Sequence, residues 1–242
     1  MYQMFGKIII AVVGSSESGK TTTVEILIKG LTEKGFKIAS AKRIHEPDFT
    51  IDTEGKDTWK HARAGACTVA SVAANELAII KKVDTKKCTL KQIVAEFSNE
   101  IDIIILEGFK ALVREDSSIP KLVTAKTNSD ITTALECYKN ILAFISSVPE
   151  KITETEMPFV DVFKDPEKIV DLVYQKVGVL VERKRIREEK ITIQVNEELL
   201  PIGDFVQNIL RKTVLAMISS LKGAKIKGDE KISIFIKRMS RS

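Results

Sequence analysis

Three cysteines, two histidines, one tryptophan and six prolines in 242 residues leave several kinds of chemistry little to work with. Cys67, Cys88 and Cys137 are odd in number, scattered and without metal-ligand spacing. That excludes a disulfide framework or a structural zinc module and predicts packed or free thiols in a reducing cytoplasm. His45 and His61 have no partner at metal-ligand spacing, so neither marks a metal centre by itself. No apolar run approaches the ~20 residues of a membrane span. The N-terminal run Ile8–Val13 is too short for a signal peptide and lacks a cleavage region, so it reads as a first strand. The excess of one charge sign over the other is also small. A net +5 suits phosphate-bearing ligands without arguing for nucleic acid, and no membrane partner is expected.

What is present is ordinary globular material, 44% hydrophobic and 29% charged, and enough of it to bury an α/β core with residues left over. Gly14-Ser15-Ser16-Glu17-Ser18-Gly19-Lys20-Thr21 spells G-x-x-x-x-G-K-[ST]. An apolar β-branched run leads into its first glycine. Val24, Leu27, Ile28 and Leu31 then mark one helix face, and Gly35 supplies a stop. Strand, loop and helix in that order are the context a phosphate-binding loop requires. Gly14 and Gly19 permit the turns that aim backbone N–H groups at an anion, and the helix N-terminus adds partial positive charge. Lys20 is expected to reach the β- and γ-phosphates, and the Thr21 hydroxyl to ligate Mg²⁺. Ser16, Glu17, Ser18 and Thr22 complete the expected nucleotide contacts.

Strand-like and helical segments alternate from Ile8 to about Val177, predicting a P-loop NTPase-type α/β fold, its mostly parallel sheet flanked by helices. Ile38–Ala41, Ile103–Leu106, Leu122–Ala125, Ile141–Ile145 and Pro158–Val162 read as further strands. Thr68–Val72 and Leu77–Ile80 read as a hairpin extending one sheet edge. Thr89 is placed to cap a helix through Phe97, and Asp165-Pro166 opens another. Residues 1–180 are therefore read as the nucleotide-binding domain and 181–190 as a charged linker or helix end. Residues 191–242 are read as a small ββαβ unit, with Ile232, Ile234 and Ile236 on its closing strand.

Ligands of an open parallel sheet bind beyond the carboxyl ends of its strands. Glu107 closes the strand that Asp102 opens, so Glu107 is the expected metal- or water-positioning carboxylate and Asp102 is not. The acidic segment Asp52–Thr58 lies in a long polar connection, where Asp52 is a candidate second carboxylate for metal and catalysis. Asp57 is either part of that segment's function or the N-cap of the helix that follows. Thr127-Asn128-Ser129-Asp130 has the spacing of a guanine-reading motif with Asn128 in place of its lysine. Asp130 is open to two readings, an acceptor for guanine or a helix N-cap.

Gly14–Thr22, Lys42 to His45, Asp52 with Gly55–Thr58 and Ala64–Ala66, and Leu106–Lys110 occur in this order, and together they resemble the MobB family. Those proteins are molybdopterin-guanine dinucleotide biosynthesis adapters. The likeness spans roughly residues 7–177. It implies GTP and Mg²⁺ as cofactors, weak GTP hydrolysis and a homodimer. It also implies partnership with the nucleotidyltransferase that builds the guanine dinucleotide from molybdopterin. By the same resemblance Gly14 to Thr21 contact nucleotide, and Asp52, Asp57 and Glu107 serve the metal and switch side. Where the family often has a His-rich stretch, this chain has Lys42-Arg43-Ile44-His45-Glu46. Two other classes fit the residues less well. A small-molecule kinase or ligase needs arginines to clamp a transferred phosphoryl, and residues 100–160 hold only Arg114. A metallochaperone GTPase calls for Cys/His clusters, and the sequence has none.

Overall fold

A computed structural model of the chain describes residues 3–4, 7–46, 48–149, 152, 157–188, 193–195 and 198–222. Its centre is a sheet of β1 (Gln3–Met4), β2 (Lys7–Gly14), β3 (Ile38–Lys42), β6 (Ile103–Glu107), β7 (Lys121–Thr124), β8 (Ile141–Ser146) and β9 (Phe159–Asp161). The parallel strands run in the order β3-β6-β2-β7-β8-β9, and β1 folds back antiparallel on the start of β2. Strand order reverses around β2, so the crevice at its carboxyl end is the topological switch point.

Strand sequence explains the layering. Along β2 every residue is buried, as a strand covered on both faces requires. Ile8, Ile10 and Val12 pack with Val24, Leu27 and Leu31 of α1 (Lys20–Glu33) and with Ile169, Val173 and Val177 of α6 (Pro166–Glu188). The alternate residues Ile9, Ala11 and Val13 face Leu90 and Val94 of α3 (Leu90–Ala95), Val113 of α4 (Lys110–Val113) and Ile131 of α5 (Asn128–Cys137). Helix α1 stops where expected. Gly35 takes φ +84°, its N–H bonds to Thr32 O at 2.9 Å, and the Phe36 N–H bonds to Leu31 O at 3.1 Å. This double closure needs a left-handed residue, which glycine adopts without a Cβ clash.

Several expectations are revised. The strands β4 (Thr68–Val72) and β5 (Leu77–Lys81) pair with each other but form a separate two-stranded sheet instead of extending the main one. The hairpin closes its own ladder, and the long connection with α2 (Asp57–Arg63) intervenes between it and β3. Lys56, not Asp57, is the N-cap of α2, and Asp57 is its first residue. Of the two readings of the mixed-charge run, linker or helix end, its described part is the end of α6, which continues to Glu188.

The chain divides into two compact units, residues 1–182 and 183–242. In the second, β10 (Ile193–Val195) pairs antiparallel with β11 (Glu198–Leu200), and α7 (Asp204–Ser219) follows. The expected strand at Ile232, Ile234 and Ile236 lies outside the described residues.

Candidate nucleotide site

The loop from Gly14 to Gly19 joins β2 to α1 at the switch point. Glu17 and Gly19 both have left-handed φ, +55° and +91°, the bends from which a nest of backbone N–H groups is built. Gly14 is required by crowding: a Cβ there would lie 2.1 Å from Thr124 Oγ1 and 2.3 Å from Thr124 O. Ser18 is buried and shapes the loop from inside. Its hydroxyl donates to Ser15 O at 2.8 Å and shares a 2.6 Å hydrogen bond with Thr124 Oγ1. Two lysines hold loop carbonyls, Lys20 on Ser15 O and Lys126 on Ser16 O at 3.0 Å. Ser15 Oγ is buried without a hydrogen-bond partner, the kind of orphan a ligand satisfies.

A cleft of about 730 Å³ opens over this loop. Gly14, Ser16, Glu17, Gly19, Lys20, Thr21 and Thr22 form one side. Lys42, Arg43, His45, Glu107 and Lys110 come from the ends of β3 and β6, and Ser147 and Phe163 from beyond β8 and β9. At its floor Glu107 is only 7% exposed. Thr21 Oγ1 donates to Glu107 Oε1 at 2.9 Å, and Lys42 Nζ lies 3.2 Å from the same oxygen. Asp102 sits at the far end of the strand, its carboxylate accepting from the Lys37 N–H at 2.9 Å.

The electrostatics call for an anion. Burial holds the Lys20 ammonium below its usual range, and nearby Lys110 depresses it further. Lys42 and Lys126 add to this, and Glu107 opposes them. A polyphosphate would reverse the imbalance.

Two sequence-selected carboxylates are not brought to this cleft. Asp52 accepts from the Thr53 N–H at 2.8 Å and from Thr58 Oγ1 at 3.0 Å, which ties its own loop together. Asp130 Oδ2 accepts from the Lys126 and Thr127 N–H groups at 2.8 and 3.1 Å. Thr127 is the N-cap of α5 and Asp130 the third helical residue of a reciprocal capping box, so Asp130 caps from three positions beyond the N-cap it was expected to occupy. His61 is in α2 and does not line the cleft. Sequence reading quoted Lys42 and Lys110 as parts of the family motifs without assigning them to the site, and it passed over Lys126, Ser147 and Phe163. The rule that sites gather at strand carboxyl ends points to Lys42, which closes β3 directly beside Glu107 in the register.

Fold and loop together define a protein of the P-loop α/β class. The family model described as "Molybdopterin guanine dinucleotide synthesis protein B" matches residues 9–147, and the chain belongs to this family, MobB. A putative molybdopterin-guanine dinucleotide biosynthesis adapter protein of Methanocaldococcus jannaschii is 29% identical over 96% of this chain and 99% of its own. That span takes in most of the second unit. The Haemophilus influenzae adapter protein is 30% identical over 61% of this chain and 79% of its own. The crystal structure of Bacillus subtilis MobB superposes with a TM-score of 0.56 at 28% identity, over 69% of this chain and 96% of that one.

Proposed function

We propose that this protein binds GTP with Mg²⁺, hydrolyses it slowly, and acts as an adapter to the nucleotidyltransferase that forms molybdopterin guanine dinucleotide. Family membership supports the pathway, and the cleft supports the nucleotide. The observation that carries the site is a phosphate loop facing a buried carboxylate, with several lysines around it and Glu107 opposing their charge.

The residues fit a hard divalent cation. Thr21 Oγ1 and Glu107 Oε1 are oxygen donors 2.9 Å apart. That equals the edge of an octahedron with bonds of about 2.0–2.1 Å. Among the described residues no group of three or more His, Cys, Asp or Glu side chains gathers to hold a metal. This suits Mg²⁺, which keeps water and takes ligands from substrate phosphates. Bound there, the cation would neutralise charge on the β- and γ-phosphates. Thr21 and Glu107 would hold it, the loop amides and Lys20 would orient the phosphates, and Glu107 would fix a water. Asp52 is assigned to ordering the Asp52–Thr58 loop.

The homodimer is assigned to the β4–β5 hairpin. On one face Val69 is buried and Ile80 half-buried, whereas Val72, Leu77 and Ile79 on the opposite face are exposed. An uncovered apolar strand face of this kind marks a protein contact. Among the described residues the cleft has no arginine clamp of the kind a kinase uses: Arg43, the arginine lining it, donates to Thr85 O at 3.2 Å. A slow GTPase therefore fits better than a kinase.

Equilibrium titration with GTP and ATP tests the reading. Lys20→Ala is expected to weaken GTP binding at least tenfold with the fold retained, since the ammonium faces the ligand. Wild-type affinity in the folded variant would remove the assignment. Sedimentation of the hairpin variant Leu77→Lys, expected to be monomeric, tests the dimer.

A further inference from the structure

Lys42 carries a feature that nucleotide binding alone does not explain. Its Nζ lies 3.2 Å from Glu107 Oε1 and 3.5 Å from Thr21 Oγ1, while those two oxygens are 2.9 Å from each other. The ammonium thus touches both donors assigned to the metal. Glu107 is nearly enclosed, its side chain 9% exposed, and a carboxylate so placed needs a positive partner. Lys42 supplies one from an edge strand with 57% of its side chain in solvent, so it is free to leave without disturbing the core.

We propose that Lys42 is a built-in counter-cation that holds the metal position of the nucleotide-free protein and must be displaced when the divalent cation arrives. The inference rests on the assignment of Thr21 and Glu107 to that metal. A divalent cation held by Thr21 Oγ1 and Glu107 Oε1 would repel an ammonium 3.2 Å from that same carboxylate oxygen and compete with it for the lone pairs, so entry of the metal and departure of Lys42 are linked. Lys42 has two effects. Before metal binds, it screens Glu107 from incoming phosphates and permits metal-free nucleotide binding. When metal binds, its displacement lowers the apparent metal affinity. Lys42 is a positioning residue, setting how strongly nucleotide binding depends on metal.

The test uses full-length protein and a fluorescent GTP analogue titrated in EDTA and in Mg²⁺. The ratio of the two dissociation constants is the coupling. Lys42→Met is expected to weaken binding in EDTA and raise the coupling about tenfold or more, with Lys42→Arg staying near wild type. Mn²⁺ titration followed by electron paramagnetic resonance should show tighter metal binding in the nucleotide complex of Lys42→Met. Glu107→Gln should bring the coupling toward one. A coupling in Lys42→Met within twofold of wild type, alongside a collapse in Glu107→Gln, overturns the role of Lys42 and leaves the metal assignment standing. Unchanged coupling in Glu107→Gln overturns both.

Discussion

Gly14 is where the phosphate loop and the sheet compete for the same space. With φ +153° and a virtual Cβ 2.1 Å from Thr124 Oγ1, Gly14→Ala must displace the last residue of β7 or open the loop. Overpacking typically costs about 1–3 kcal/mol, and here the obstructing atoms include backbone. The expected result is a loss of nucleotide affinity larger than the loss of stability, measured by titration and urea unfolding of the same variant. Asp130 behaves oppositely. With its carboxylate committed to the α5 capping box, Asp130→Ala should cost about 1 kcal/mol of stability. Asp130→Asn should leave the preference for GTP over xanthosine triphosphate unchanged, and a gain by the xanthine nucleotide would return Asp130 to base reading. The phosphate loop was legible because its chemistry needs consecutive residues. Lys42 was not, because its partnership with Glu107 arises from strand register between residues far apart in the chain.

Between elements, α1 leaves no room for a side chain where Gly30 meets α6. A Cβ on Gly30 would meet Val170 Cγ2 at 2.5 Å. Alanine in a helix gains about 1 kcal/mol over glycine by propensity, and the clash costs about 1–3 kcal/mol, so the clash should win. Gly30→Ala is expected to be destabilising alone and to be rescued in part by Val170→Ala, a positive coupling that denaturant unfolding of the four-member cycle would read. The central strands were readable as unbroken apolar runs, which only two-sided burial explains. The edge was not. Five-residue β4 and β5 pair fully with each other, and sequence cannot say whether a closed hairpin also joins a larger sheet. The helix after Pro166 was anticipated, but its length was not, since a mixed-charge run serves equally as linker or helix end.

For the whole molecule, the question is where the nucleotide-binding unit stops. Contacts place the boundary between Glu182 and Arg183, inside the helix that runs on to Glu188. Val177 and Val181 are fully buried in the main core, so α6 belongs to that core through at least Val181. A chain cut at Lys176 loses both valines, and each buried valine contributes about 1.5–3 kcal/mol, a large share of a stability near 5–15 kcal/mol. That version should be poorly folded. A chain ending at Glu188 keeps both valines and the whole helix. It should bind nucleotide within about twofold of the full protein, since among the described residues all those lining the cleft belong to the first unit, the last of them being Phe163. Thermal unfolding and nucleotide titration of the two truncations decide the matter. Loss of binding in the Glu188 version would mean that the second unit supports the site, and the boundary would then separate two contact clusters within a single cooperative domain.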